Sequence, residues 1–200
     1  MTVISNGTNL INNGALDSAV ASGKMVLLAT QTASNSSTIS FASGINSTYD
    51  IYIFKFINIH PATNGAHFQF NLRDGGSSYD APKTTNAFRP FHYESDSTPE
   101  LAYQGGSDID NSTAVQKIAE NLGNNNDDNT SGDMSLYFPS STASVKHFIS
   151  NMNLNHSASY PASVQWKISG FANTTTAIDG AQFSMSTGNF DGIIKLYGVA

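Results

Sequence analysis

The stretch Tyr49 to Arg73, YDIYIFKFINIHPATNGAHFQFNLR, constrains the fold more than any other part of this chain. From Ile51 to Ile59 nearly every side chain is aromatic or β-branched, and only Lys55 and Asn58 interrupt the run. Such a run predicts a central strand with both faces covered. Pro61 cannot donate to a ladder, and Asn64-Gly65 accepts the positive φ of a tight connection, so residues 60–65 read as a turn. Beyond it, Ala66, Phe68, Phe70 and Leu72 alternate with His67, Gln69, Asn71 and Arg73. One dry face and one wet face predict a half-buried antiparallel strand lying beside the first.

The same rhythm recurs along the chain. Lys24–Thr30 and Thr38–Phe41 read as early strands, and Thr84–Glu94, with Pro90 among Phe88, Phe91 and Tyr93, as an edge or bulged strand. Alternation returns at Met134/Leu136/Phe138, Phe148/Met152/Leu154, Val164/Trp166/Ile168 and Ala181/Phe183/Met185, and Ile193–Val199 supplies a last apolar strand. One segment breaks the pattern. In Thr113–Leu122, the residues Ala114, Val115, Ile118, Ala119 and Leu122 fall at helical spacing, with Asn111 or Ser112 to cap and Gly123 to stop. The expected architecture is therefore all-β, an antiparallel β-sandwich of nine or ten strands with one short inserted helix, in one domain over residues 24–200. Residues 1–23 are too polar to form a core alone, yet Val3, Ile4, Leu10, Ile11 and Leu16 are spaced along them as apolar anchors. They read as an extended arm that orders against a neighbour.

Composition narrows the function classes. A net charge of −6, with nine Lys and Arg spread thinly, disfavours a nucleic-acid partner. No apolar run is long enough to span a membrane, and Met1–Gly23 has neither the basic start nor the apolar middle of a signal peptide. The absence of cysteine removes disulfides and thiolate metal sites. Ser, Thr and Asn make up about a third of the chain, so neutral hydroxyls and amides must form the surface.

Four patterns in the first half and four in the second carry a family resemblance. Ser47-Thr48-Tyr49 enters the aromatic strand, Asn58-Ile59-His60-Pro61-Ala62-Thr63 leaves it, and Phe68-Gln69-Phe70 and Gly75-Gly76-Ser77-Ser78-Tyr79 follow. Later come Phe138-Pro139-Ser140-Ser141-Thr142, Val145-Lys146-His147-Phe148-Ile149, Ser186-Thr187-Gly188-Asn189-Phe190 and Ile194-Lys195-Leu196-Tyr197-Gly198. Over residues 24–200 the chain resembles a group of small bacteriophage virion proteins common in marine phages. The resemblance implies a jelly-roll-like sandwich, often trimeric, placed on the virion after synthesis in the host cytoplasm. Its role would be a capsid decoration protein or the head of a tail or capsid fibre, with capsid or tail proteins as partners. The family supplies no catalytic residues to carry over.

Catalytic and metal chemistry find little support. The histidines at 60, 67, 92, 147 and 156 lie in separate elements without metal-ligand spacing. Asp108-Ile109-Asp110-Asn111 and Asn126-Asp127-Asp128-Asn129 offer oxygens for calcium but lack EF-hand spacing, and read as solvated loops. Glu94, Asp96, Glu100, Asp108 and Asp110 could supply a glycosidase pair only across a cleft that a single small core leaves little room for. The expectation is a protein that is not an enzyme and carries no cofactor. Tyr79, Tyr93, Tyr103 and Tyr160 are candidate stacking surfaces for a host surface glycan, with Asn and Asp side chains to bind its hydroxyls.

Overall fold

The structure, a computed structural model, describes residues 3–5, 8–12, 15–16, 25–97, 99–155 and 162–199. Among them there is no helix, and every strand pairing is antiparallel. Three short strands, β1 (Val3–Ser5), β2 (Thr8–Asn12) and β3 (Ala15–Leu16), pair only with one another. The rest of the described chain forms a two-layer sandwich. Its strands are β4 (Val26–Ser36), β5 (Thr38–Phe41), β6 (Ile51–Pro61), β7 (Ala66–Arg73), β8 (Lys83–Tyr93), β9 (Glu100–Tyr103), β10 (Gln116–Leu122), β11 (Thr130–Tyr137), β12 (Lys146–Asn155), β13 (Ala162–Ala172), β14 (Gly180–Met185) and β15 (Phe190–Val199). One sheet has the order β10-β7-β14-β5, and the other runs β4-β15-β6-β11-β12-β13-β8-β9.

The sheets meet through aromatic side chains. Phe54 and Phe56 from β6 face Phe68 and Phe70 from β7, and Phe183 from β14 lies among all four, with centroids 5.0, 5.1, 6.0 and 6.4 Å away. Edge-on contacts such as Phe56–Phe68 at 5.3 Å and Phe70–Phe148 at 5.2 Å add the quadrupole term to simple burial.

Four expectations need correction. Strands β6 and β7 are not a hairpin: β6 pairs with β11 and β15, and β7 with β10 and β14, so residues 62–65 connect one sheet to the other. The alternation of β7 looks the same whether its dry face meets a neighbour in the same sheet or a strand across the core. Nor is β6 covered on both faces. Tyr52, Phe54 and Phe56 are buried, while Ile51 and Ile53 are half-exposed and Ile57 is exposed on the far side. Asn58 then adopts φ +52° and opens a bulge against both neighbours, which returns Ile59 to the core.

The segment expected as a helix is strand β10, an edge of the smaller sheet. Its register against β7 slips between Lys117 and Ala119 and again between Ala119 and Leu122. Each bulge breaks the two-residue period, so Ile118, Ala119 and Leu122 all point inward at a spacing that imitates a helix. Lastly, β8 is not an edge strand, because the short β9 pairs along its outer side, with Leu101 opposite Pro90.

Phe183→Ala is expected to cost about 3–5 kcal/mol by opening a cavity between the sheets. The check is a fall in the urea midpoint with an unchanged slope.

Candidate functional site

The register divides the outer face of the eight-stranded sheet into two chemically different halves. In the half formed by β4, β15, β6 and β11, Leu27, Tyr197 and Ile53 lie in one cross-strand row and Ile193 and Ile57 in another. A row between them places Lys195 beside Lys55, and Lys55 bonds Asp133 at 2.7 Å. Leu27 and Ile57 are 50% and 41% exposed, so two apolar rows flank this charged one on a face turned away from the core.

The half formed by β12, β13 and β8 is polar with scattered rings. Near one end, a groove of about 460 Å³ is lined by Thr84, Asn86, His147, Ile149, Ser169 and Phe171. Its floor is preorganised: Ser169 Oγ donates to Asn86 Oδ1 at 2.9 Å, and the His147 ring meets Phe171 edge-on at 5.8 Å. Toward the other end of the same strands, two shallower depressions share His92, Asn153 and Ser163. Hydroxyls, amides and imidazoles next to exposed rings can exchange hydrogen bonds with a polyhydroxylated ligand while the rings cover its apolar faces.

The tyrosines singled out from sequence do not form one site. Tyr79 lies under the Arg73 guanidinium at 5.6 Å, and Arg73 in turn bonds Asp179 at 2.7 Å, which raises the arginine pKa. Tyr93 is half-buried, edge-on to Phe91 at 5.1 Å. These two flank opposite ends of β8, whose eleven residues span about 33 Å. Tyr103 is exposed and donates to Asp108 at 2.6 Å, a bond that raises its pKa. Tyr160 and His156 lie outside the described residues. Of the arm residues, Ile4 is 61% exposed, whereas the side chains of Val3, Leu10, Ile11 and Leu16 lie outside the described ones.

Among the described residues no three His, Asp or Glu side chains converge to hold a metal. Asp128 is buried, and its carboxylate accepts from the Asn125 N–H and from Asn155 Nδ2 at 3.0 and 2.7 Å. Among the described residues, two buried donors find no acceptor, Arg89 Nε and Trp166 Nε1, where the guanidinium lies 5.8 Å from the indole and 5.0 Å from Phe91. Sequence reasoning passed over Arg89 and the groove at Phe171, because only the pairing of β13 with β8 on one side and β12 on the other brings their neighbours together.

On the outer side of β7, His67 Nδ1 accepts the Asn121 N–H at 3.1 Å, which requires the neutral ring. Burial lowers its pKa from 6.5; Glu120 opposes the shift and Lys117 adds to it. The folded state therefore resists protonation, so this contribution to stability is whole above about pH 6.5 and is lost as the pH falls toward the folded pKa. Thermal melts of the parent and of His67→Gln between pH 7 and 5 are expected to show a shallower acid slope for the variant. No protein-family model, no curated protein and no solved structure matches this chain.

Proposed function

We propose that this chain is a non-enzymatic structural protein of a phage virion, a capsid decoration protein that packs against a neighbouring shell subunit. The observation that carries the reading is the pair of apolar rows on the outer sheet face, one on each side of the Lys195–Lys55–Asp133 row. Leu27, Ile53, Ile57, Ile193 and Tyr197 lie on strands whose other side already forms the core, so their hydrophobicity is not needed for the sandwich itself. Removing such a surface from water on a lattice contributes roughly 25 cal/mol per Å² of apolar area. The resemblance to small virion proteins supports the same reading, together with a jelly-roll-like winding and trimeric association. The N-terminal segment with Ile4 exposed suits a second contact to the shell.

Leu27→Glu and Ile57→Glu are each expected to reduce binding to protein-depleted particles by about tenfold or more, since each places a charge in a dry contact, while leaving the melting temperature within a few degrees. Co-sedimentation with the particles reads this directly. Deleting residues 1–22 is expected to weaken the same binding; unchanged binding would remove the arm from the attachment.

A second reading, a glycan-binding head of a tail or capsid fibre, is favoured by the groove at Phe171, His147, Asn86 and Ser169. A glycan array probed with the native protein separates the two. Binding that disappears in Phe171→Ala supports the head, and no binding at millimolar sugar leaves decoration alone.

A further inference from the structure

Among the described residues, two lysines are fully buried in the sandwich, and their partners differ in kind. Lys146 Nζ donates to the main-chain oxygens of Thr174 and Thr176, at 3.0 and 2.6 Å. Lys83, at the start of β8, instead places Nζ 2.5 Å from the side-chain oxygen of Asn71 and 2.9 Å from the Ala81 carbonyl. Asn71 belongs to β7 in the other sheet. Its position in the alternation faces outward, yet it is only 6% exposed, because the chain leading into β10 covers it and Thr113 O accepts from Asn71 Nδ2 at 3.0 Å.

We propose that the Lys83 amine and the Asn71 carboxamide condense into an isopeptide bond that ties the two sheets together covalently. With a carbonyl bond of about 1.23 Å, the 2.5 Å contact puts Nζ no more than about 3.7 Å from Asn71 Cγ, close to a near-attack separation. The Asn71 oxygen also accepts the Leu72 N–H at 3.0 Å, a donor separate from the attacking amine that polarises the carbonyl and stands ready for the charge that develops on it. Burial lowers the amine pKa to about 8, against the upward pull of Asp80 and Asp74, so a fraction of the molecules carries the neutral nucleophile near neutral pH.

The step balances without an oxidant, a metal or a co-reactant. A bond forms between Nζ and Cγ while the Cγ–Nδ2 bond breaks. One proton moves from Nζ to Nδ2, which leaves as ammonia. Lys146 faces only main-chain carbonyls and provides an internal control.

Intact-mass spectrometry of the full folded chain tests the bond. The expected mass is about 17 Da below that of the sequence, the loss of one ammonia, and absent from a sample held in denaturant since synthesis. After denaturation and trypsin treatment, acylated Lys83 resists cleavage and Arg89 precedes proline, so a branched peptide joining residues 56–73 to 74–117 is expected. Asn71→Ala and Lys83→Met should show their full sequence masses. A full mass for the folded parent chain, or a gain of about 1 Da from hydrolysis of Asn71 to aspartate, overturns the proposal. Neither outcome depends on whether the variants fold.

Discussion

The packing of Phe183 against both sheets is the contact on which the rest of the sandwich depends. Its ring lies on the smaller sheet but touches Phe54 and Phe56 of the larger one, and Phe41 at 6.2 Å extends the cluster toward β5. A four-stranded sheet facing an eight-stranded one cannot cover it edge to edge. Large rings concentrate the available burial where the two layers do overlap. Beyond that overlap, the inner side of β8 relies on other material: Arg89 spread over Phe91 and Trp166, and the segment from Gln104 to Ser112 hydrogen-bonded back onto the strand.

The unequal sheets also account for the polar groups in unusual places. Gln116 is fully buried because it joins three segments at once: it accepts from Thr85 Oγ1 at 2.6 Å and donates to the Ser107 and Lys117 carbonyls at 2.8 Å each. Lys146 ties the 174–176 turn to the sandwich in the same manner. A chain with only 12% charged residues thus spends some of its cations inside, as multivalent donors for carbonyls that no ladder reaches.

The parts of this organisation that were legible in the sequence are those governed by a period of two. Val164/Trp166/Ile168 and Ala181/Phe183/Met185 are buried as their alternation requires, and the all-β sandwich follows from many such stretches. What alternation does not encode is which sheet a strand joins, and so β6 and β7 read as neighbours when they face each other across the core. Bulges are equally silent. Those in β10 turned a strand into an apparent helix, whereas Asn58 looked like a mere interruption and is the residue that redirects β6. The groove at Phe171 needed three strands in register before it existed, and no local pattern could announce it.

The position of β15 has a kinetic consequence. It lies between β4 and β6, with Phe190 opposite both Ser36 and Pro61, so its partners precede it by well over a hundred residues. Contacts of such long sequence separation close slowly, because the entropy of a large loop is lost before any pairing energy is returned. Until the last strand arrives, the aromatic run of β6 presents an open edge in the nascent chain, as do the backbone groups of β4. The strand richest in core rings is therefore also the one most exposed to mispairing during synthesis, and a chaperone acting on this chain would find its principal target there.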